Sequence, residues 1–259
     1  MIESAKNQVI KTIQQLKTTR GRKKSNLYYL EGIKIIEEAL ISNQKLIKIL
    51  FSQRVFETAI GKQLMDKLEA RGIQQLEVTE GVMKDLCDTE TNQGIVAIVE
   101  KNGQLEEDIR IQEKNNRILI LDQIQDPGNL GTLIRTADAL GYGQIFCSKG
   151  TADLYNPKVL RSTMGSIFHV DIRYYESHEA LIEALHQQGF YILATTPEPV
   201  TDIREVEAEK IALIIGNEGN GVSEELFQRC DLKVTIRMKG RAESLNAAMA
   251  AGICMYALN

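Results

Sequence analysis

Apolar residues in the first hundred positions follow a helical period in some stretches and form short runs in others. Residues 9–16 and 33–40 carry apolar side chains at helical spacing, which predicts two amphipathic helices on either side of a basic loop. The remaining pattern predicts strands at 47–51, 73–78 and 94–99 and helices around 55–70 and 80–87. This alternation predicts a compact α/β unit that ends near residue 100.

A polar, charged stretch at 101–116 predicts an exposed linker before a second domain. Beyond it, buried-type runs predict strands at 117–122, 144–148, 168–173, 190–195, 211–215 and 232–236, with helices between most of them. Such a pattern is typical of a mainly parallel sheet covered on both faces. The closing segment, 244–258, predicts a helix rich in alanine and glycine, whose small side chains allow close backbone approach.

Composition narrows the class of protein. The chain has 259 residues, 43% of them hydrophobic and 25% charged, and no apolar run approaches the roughly 20 residues of a membrane span. The amino-terminal residues lack the apolar core of a secretory signal, so we expect a cytoplasmic protein. The four cysteines and three histidines form no ligand spacing, so no metal is predicted.

Positive charge is concentrated at the amino terminus although the net charge is −4. Residues 1–30 hold seven cations against one anion, a local balance of +6. This clustering is what phosphate binding requires, although a solvated basic face is the open alternative. Tyr28 and Tyr29 beside it could stack on bases, but we expect at least one to be buried. The candidate nucleic-acid-binding residues are Arg20, Arg22, Lys23 and Lys24.

A first loop follows the strand at 117–122. Its Pro-Gly turn leads through Asn129 into a helix in which Arg135 lies in the second turn, near the carboxyl end of the strand where α/β sheets bind ligands. An Asn cap followed by a surface Arg is the alternative interpretation.

A second loop, residues 213–223, contains Gly216, Gly219 and Gly221 around the carboxylate of Glu218. These glycines permit tight turns and close approach of the backbone to a ligand. Their order is not the dinucleotide fingerprint, and no Lys-Ser/Thr pair of a phosphate loop follows. NAD and ATP are therefore disfavoured.

A third loop follows the strand at 232–236, and either Ser244 or Asn246 opens the final helix. A helix cap alone would account for these two residues. Because the three polar loops end three strands of one parallel sheet, we expect them to form a single site.

The three loops, in order, separation and residues, resemble motifs one, two and three of the SpoU methyltransferases of the SPOUT superfamily. Residues 3–40 resemble the RNA-binding domain that often precedes that catalytic domain. The resemblance implies an RNA substrate-binding domain at 1–100, a linker at 101–116 and a catalytic domain at 117–259. It further implies an α/β fold with a deep trefoil knot in a mainly parallel sheet, and a homodimer whose active sites draw on both subunits.

The resemblance also implies roles for individual residues. The catalytic set would be Asn129, Arg135, Glu218, Ser244 and Asn246. The cofactor-binding set would be Thr195, Gly216, Asn217, Gly221, Ile236 and Leu245. Arg135 is the first candidate for removing the hydroxyl proton, yet a guanidinium rarely loses its own proton, so phosphate anchoring is the other version. Arg237 stands where the family usually has proline, which leaves the loop geometry at Ile236 less fixed.

The function implied is methyl transfer from S-adenosylmethionine to a ribose 2′-hydroxyl of RNA, with 23S ribosomal RNA preferred. A tRNA 2′-O-methyltransferase and a non-catalytic RNA-binding or ribosome-assembly factor are the alternatives. A nucleotide-dependent oxidoreductase would require G-x-G-x-x-G after the first strand of the second domain, and residues 121–131 do not supply it.

Overall fold

The computed structural model describes residues 1–2, 7–101 and 109–259. Glu3 and Lys6, which enter the local charge balance, and residues 102–108 of the predicted linker lie outside these ranges. The helices are α1 (Gln8–Leu16), α2 (Thr19–Lys24), α3 (Ile33–Ile41), α4 (Ala59–Ala70), α5 (Glu80–Leu86), α6 (Pro127–Ala139), α7 (Pro157–Thr163), α8 (His178–Gln187), α9 (Glu224–Arg229) and α10 (Ala247–Ala257). The strands are β1 (Leu27–Glu31), β2 (Leu46–Phe51), β3 (Gln75–Glu77), β4 (Ile95–Glu100), β5 (Arg117–Leu121), β6 (Gln144–Ser148), β7 (Asp171–Tyr175), β8 (Tyr191–Thr195), β9 (Thr201–Asp202), β10 (Ile211–Ile215) and β11 (Leu232–Thr235).

The chain divides into two compact units. Met1–Gln104 and Asp153–Phe168 form the first unit, and Leu105–Ala152 and His169–Asn259 form the second. The sequence-based division assigned residues 153–168 to the second domain, whereas the structure groups this segment, with α7, in the first. Apolar periodicity could not anticipate this, because it predicts a helix without saying which sheet that helix covers.

A four-stranded sheet in the order β1-β4-β2-β3 forms the centre of the first unit. Side chains alternate between its faces along β1: Tyr28 and Leu30 pack in the core cluster of α3 and α4, and Tyr29 packs in that of α1 and α5. Strand β1 was not predicted, since its burial on both faces hides the period-two signal. Both tyrosines are only 1% exposed, so neither is available to stack on a base.

The second unit contains a seven-stranded sheet in the order β7-β6-β5-β10-β8-β11-β9, in which every pairing is parallel. Strands β6 and β10 are buried throughout, as strands covered on both faces must be. Helices α8 and α9 pack in the apolar cluster on one face of the sheet, and α6 and α10 contact each other. The predicted parallel α/β fold is therefore confirmed, while the trefoil knot stays a prediction.

A membrane-spanning helix and a cluster of metal ligands would indicate other classes of protein. No helix within the described ranges is long and apolar enough to cross a membrane. Among the same residues, no group of three or more His, Cys, Asp or Glu side chains is placed to hold a metal ion. The four cysteines are free, and Cys87, Cys147 and Cys254 are buried.

Candidate active site

The carboxyl ends of four adjacent strands define one edge of the large sheet. Strands β5, β10, β8 and β11 lie side by side and run parallel, so the loops that follow them leave the sheet at the same edge. This arrangement brings the second and third motif loops together with a fourth segment, residues 195–197, at the end of β8. The first motif loop is hydrogen-bonded to the second. Ligands of open α/β sheets bind at this edge.

The loop after β10 is held in a tight turn by its own backbone. Asn217 and Gly221 exchange two N–H···O=C bonds of 2.9 Å, and Asn217 Oδ1 accepts from the N–H groups of Gly219 and Asn220. Gly221 has φ +71°, which favours glycine. A Cβ on Gly216 would lie 2.1 Å from the backbone of Gly221, so only glycine fits there.

Glu218 ties this loop to the first motif loop. Its Oε1 accepts from Asn129 Nδ2 at 2.9 Å and from the Asp126 N–H at 3.3 Å, and its Oε2 accepts from the Gln125 N–H at 3.3 Å. Partial burial by itself would raise the pKa of Glu218, but hydrogen bonds from Asn129 and from backbone N–H groups outweigh it and lower the pKa below its ordinary value. Glu218 is therefore ionised at neutral pH, and its oxygens are occupied as acceptors.

Asn246 joins the third loop to the same group. It caps α10, because its Oδ1 accepts from the N–H groups of Ala248 and Met249. Its Nδ2 donates to Asn129 Oδ1 at 3.0 Å. Glu218, Asn129 and Asn246 thus form a continuous chain of hydrogen bonds across the three motif loops. Asn246 therefore both caps α10 and contacts Asn129 at the site.

The sequence analysis missed Asp122, a buried carboxylate that is hydrogen-bonded close to these loops. Asp122 is 1% exposed; its Oδ1 accepts from Ser148 Oγ at 2.9 Å and its Oδ2 from the Ser223 N–H at 2.7 Å. Ser148 Oγ in turn accepts from the N–H of Gln123, whose carbonyl accepts from Asn217 Nδ2. Asp122 therefore fixes the first loop to the second. A charged residue directly after a buried strand was the available signal.

A cavity of about 310 Å³ lies at this edge of the sheet, within the second unit. Apolar side chains of Ile215, Val234 and Ile236 wall it together with backbone of the glycine turn. Cys254 also lines it, and burial raises the pKa of its thiol to about 12, so the thiol stays neutral. A cavity of this size and lining suits a nucleoside-sized ligand held by shape and backbone groups.

The structure places the predicted cofactor-binding residues together. All six line the cavity: Thr195, Gly216, Asn217, Gly221, Ile236 and Leu245. The Thr195 hydroxyl donates to the Ile214 carbonyl at 3.0 Å, and the Thr196 N–H donates to the Val234 carbonyl. These bonds hold the fourth segment against β10 and β11. Their role toward a cofactor stays a prediction.

The predicted catalytic residues occupy three kinds of position. Glu218 and Ser244 line the cavity, and Asn129 and Asn246 lie beside it through the hydrogen-bond chain. Arg135 is exposed on α6 and is not part of the cavity wall. Within the described part of the chain, no hydrogen bond or ion pair of its guanidinium is found.

The predicted RNA-binding cluster in the first unit needs one correction. It is helical, since α2 begins after its Thr18 cap, rather than a loop. Arg20, Lys23 and Lys24 are exposed, but Arg22 is only 2% exposed. Its Nε donates to Asp153 Oδ2 at 2.7 Å and its NH1 to the carbonyls of Leu16 and Lys17. Arg22 is therefore a structural residue and cannot contact phosphate.

The large sheet is fully parallel, and its carboxyl edge carries a small, partly apolar cavity with glycine turns and no phosphate loop. These features define an α/β protein with a binding site of nucleoside size. The chain belongs to the SpoU rRNA methylase family, which matches residues 116–256. Residues 7–97 match the MRM3-like substrate binding domain. The predicted family is confirmed.

Individual relatives resemble the chain over nearly its whole length. The 23S rRNA (guanosine(2553)-2′-O)-methyltransferase RlmP of Bacillus subtilis is 38% identical over 99% of this chain and 98% of its own. An uncharacterized tRNA/rRNA methyltransferase of Synechocystis sp. is 32% identical over 98% of this chain and 92% of its own. The crystal structure of an AdoMet-bound rRNA methyltransferase from Sinorhizobium meliloti has a TM-score of 0.85 at 32% identity, covering 99% of this chain and 95% of that one.

Proposed function

We propose that this protein transfers a methyl group from S-adenosylmethionine to a ribose 2′-hydroxyl of 23S ribosomal RNA. The observation that carries the proposal is the hydrogen-bond chain from Glu218 through Asn129 to Asn246, which joins all three motif loops at the edge of one cavity. Family membership supports the same reaction class. Two relatives that cover nearly the whole chain are named as methyltransferases of ribosomal or transfer RNA.

The cavity fits S-adenosylmethionine in size and chemistry. Adenine requires shape and edge contacts more than charge, and the walls offer Ile215, Val234 and Ile236 beside exposed backbone of the glycine turn. The cofactor, when bound, supplies an electrophilic methyl group on its sulfonium. Gly216 would keep the turn in this shape, since a side chain there would collide with residues 221–222. Arg237 follows this wall, and its Nε lies 3.7 Å from Asp202 Oδ2, a contact that restrains the loop end where the family usually has proline.

Glu218 would position groups rather than move a proton. Its oxygens already accept three hydrogen bonds, and its lowered pKa keeps it ionised at neutral pH. Asn129 and Asn246 would then be held in one orientation at the mouth of the cavity. Well-positioned reactants can account for roughly 7–11 kcal/mol of a barrier, so this rigid frame is a substantial part of the proposed catalysis.

Arg135 would act on the ribose hydroxyl and its neighbouring phosphate. Because a guanidinium rarely gives up its own proton, we assign Arg135 to holding that phosphate. The phosphate or a water molecule would then accept the hydroxyl proton. Held in this way, the hydroxyl oxygen would be oriented to accept the methyl group that the cofactor supplies. The exposed guanidinium is free for such a contact within the described chain.

RNA would bind the first unit mainly through phosphates. Arg20, Lys23 and Lys24 are exposed on α2, and Lys101 Nζ donates to the carbonyls of Arg22 and Ser25 at the end of that helix. This contact fixes the helix that presents the three cations. Phosphate contacts position RNA without reading its sequence, so target choice must come from RNA shape or from the catalytic unit. A ribosomal RNA substrate also keeps the cytoplasm as the expected location.

A homodimer is the proposed assembly. Helix α10 exposes Met249 (62%), Ile253 (40%) and Tyr256 (76%) at spacings of four and three residues, which places them in one apolar stripe. A second copy would cover this stripe. Arg135 of one subunit would then approach the cavity of the other, which is not lined by the Arg135 of its own chain. Light scattering should show a dimer for the wild-type chain and a monomer for Ile253→Asp. A wild-type monomer would contradict the assembly.

The RNA target can be tested in cells. Ribose methylation is mapped across 23S rRNA and all tRNAs in strains with and without this gene, and the lost position is restored by the wild-type gene. We expect one guanosine of 23S rRNA to lose its 2′-O-methyl group, by analogy with the Bacillus subtilis relative. Loss of a tRNA methyl group instead would show that the substrate is tRNA and not 23S rRNA. No change in any RNA would contradict the proposed activity.

A further inference from the structure

Positive charge in the loops around the cavity is confined to one of them. The segments 122–126, 195–200 and 216–223 contain no Lys or Arg, whereas the loop at 236–246 contains Arg237, Lys239 and Arg241. RNA that reaches the cavity must bring its phosphates past these loops. Among these four segments, a cation that meets a phosphate therefore comes from the loop at 236–246.

The path of this loop separates cavity contacts from charge. Ile236 and Met238 line the cavity, and the loop returns to the cavity wall at Ser244 and Leu245. Residues 239–243, between these two contacts, are all exposed. The loop thus leaves the wall for five residues and carries Lys239 and Arg241 into solvent next to the cavity.

The three cations are not equivalent. Arg237 lies 3.7 Å from the carboxylate of Asp202 and 4.0 Å from that of Glu205, so its charge is partly neutralised within the protein. No ion pair or hydrogen bond of Lys239 or Arg241 is found among the described residues. The nearest acidic neighbour in the sequence is the exposed Glu243.

We infer that Lys239 and Arg241 form a second RNA-contact surface, on the catalytic unit, that binds the phosphates flanking the target ribose. The inference rests on the proposed function, because it takes the methyl-accepting ribose to sit at this cavity. A ribose is joined directly to a phosphate on each side, so two phosphates necessarily accompany it to the site. Two unpaired cations bounded by cavity-lining residues are placed to meet them, and such contacts are sequence-independent.

The salt dependence of RNA binding tests this surface. The affinity for full-length 23S rRNA transcript is measured over a series of KCl concentrations. The wild-type protein, in the oligomeric state that it has in solution, is compared with Lys239→Ala/Arg241→Ala. Each lost phosphate contact should reduce the slope of log K against log salt by about 0.7–0.9. The double variant should therefore bind more weakly and with a shallower slope, while calorimetry shows unchanged affinity for S-adenosylmethionine.

A matched control removes the same two residue types from the opposite edge of the sheet. Lys114 precedes β5 and Arg229 precedes β11, so both lie near the amino ends of the strands. Lys114→Ala/Arg229→Ala should keep the wild-type slope. Exchange of the two cations, Lys239→Arg/Arg241→Lys, should also keep it, because a phosphate contact needs charge and reach rather than one shape of head group.

An unchanged slope in Lys239→Ala/Arg241→Ala, or a slope equally reduced in the control, would overturn the inference. Loss of binding in the exchanged variant would also overturn it, since that would indicate a structural role for the loop. These measurements need no turnover. A wild-type protein that binds RNA as described but methylates none would refute the proposed function and leave the contact surface standing.

Discussion

Asn129 Nδ2 donates to Glu218 Oε1 at 2.9 Å, across 89 positions of sequence. The same carboxylate accepts the backbone N–H groups of Gln125 and Asp126, which belong to the turn that leads into α6. One side chain therefore fixes both the orientation of Asn129 and the start of the helix that carries Arg135. The proposed reaction depends on this rigidity more than on any proton held by Glu218.

Glu218→Gln tests that dependence. The glutamine amide offers one acceptor oxygen and places an NH₂ group against N–H donors, so Asn129 and the turn lose part of their anchor. We expect kcat to fall by up to roughly 10²-fold, because small misplacements at a reacting centre have effects of that size. Thermal unfolding should hardly change, since Glu218 is exposed. Methyl-transfer kinetics and a melting curve measure both quantities.

Glu224→Gln is the matched control for that variant. Glu224 lies in the first turn of the nearby α9 and is exposed, and it accepts from Gln228 at 2.7 Å on its own helix. Its kcat should stay at the wild-type value. If Glu218→Gln also retained wild-type kcat, the positioning role of the hydrogen-bond chain would be wrong.

Gly216→Ala should destabilise the second unit, whereas Gly219→Ala should not. A Cβ on Gly216 would lie 2.1 Å from backbone atoms of the turn, so the turn must open. At Gly219 the nearest atom, Asn217 Oδ1, would be 3.5 Å away, an ordinary contact. We expect a loss of about 1–3 kcal/mol for the first variant and less than about 0.5 kcal/mol for the second in urea unfolding. Equal stability of the two would show that the turn tolerates a side chain.

Arg22→Ala and Arg20→Ala separate structure from RNA binding within α2. Removing Arg22 leaves Asp153 and two helix-end carbonyls without their donor inside the first unit, which should cost about 3 kcal/mol in urea unfolding. Arg20 is exposed, so its removal should leave stability within about 0.5 kcal/mol and weaken RNA binding. A stable Arg22→Ala that lost only RNA affinity would restore the sequence-based interpretation of Arg22 as a phosphate ligand.

The sequence predicted the second unit well because its strands carry strong local signals. The strands at 144–148 and 211–215 match β6 and β10 at both ends, and parallel pairing follows from their continuous apolar runs. The residues predicted for the cofactor lie around one cavity because glycine turns and strand ends can be located from sequence. Fold and site were accessible wherever the information was local.

Residues whose role depends on distant partners could not be predicted. Arg22 belongs to a basic run, and only its contact with Asp153, 131 positions later, shows that it is buried. Asp122 follows a strand, as many surface carboxylates do, and only its hydrogen bonds with Ser148 and Ser223 show that it is a buried structural residue. Neither local pattern nor composition contains such pairings.

Arg135→Ala addresses the chemical step itself. The exposed guanidinium makes no contact with the cavity wall, so its loss should leave the affinity for S-adenosylmethionine unchanged. Turnover should fall by roughly 10²–10⁴-fold, the range for losing assisted proton transfer, because the phosphate that would accept the proton is no longer held in place. Calorimetry with the cofactor and single-turnover methyl transfer measure the two effects separately.

The most direct test uses purified protein, S-adenosylmethionine labelled in its methyl group, and 23S rRNA transcript, followed by alkaline digestion of the RNA. A 2′-O-methyl group blocks alkaline cleavage at its own nucleotide, so label on ribose is recovered in alkali-resistant dinucleotides and label on a base in mononucleotides. We predict dinucleotide label for the wild-type protein and nearly none for Arg135→Ala. Label in mononucleotides, no label at all, or wild-type labelling by Arg135→Ala would contradict the account.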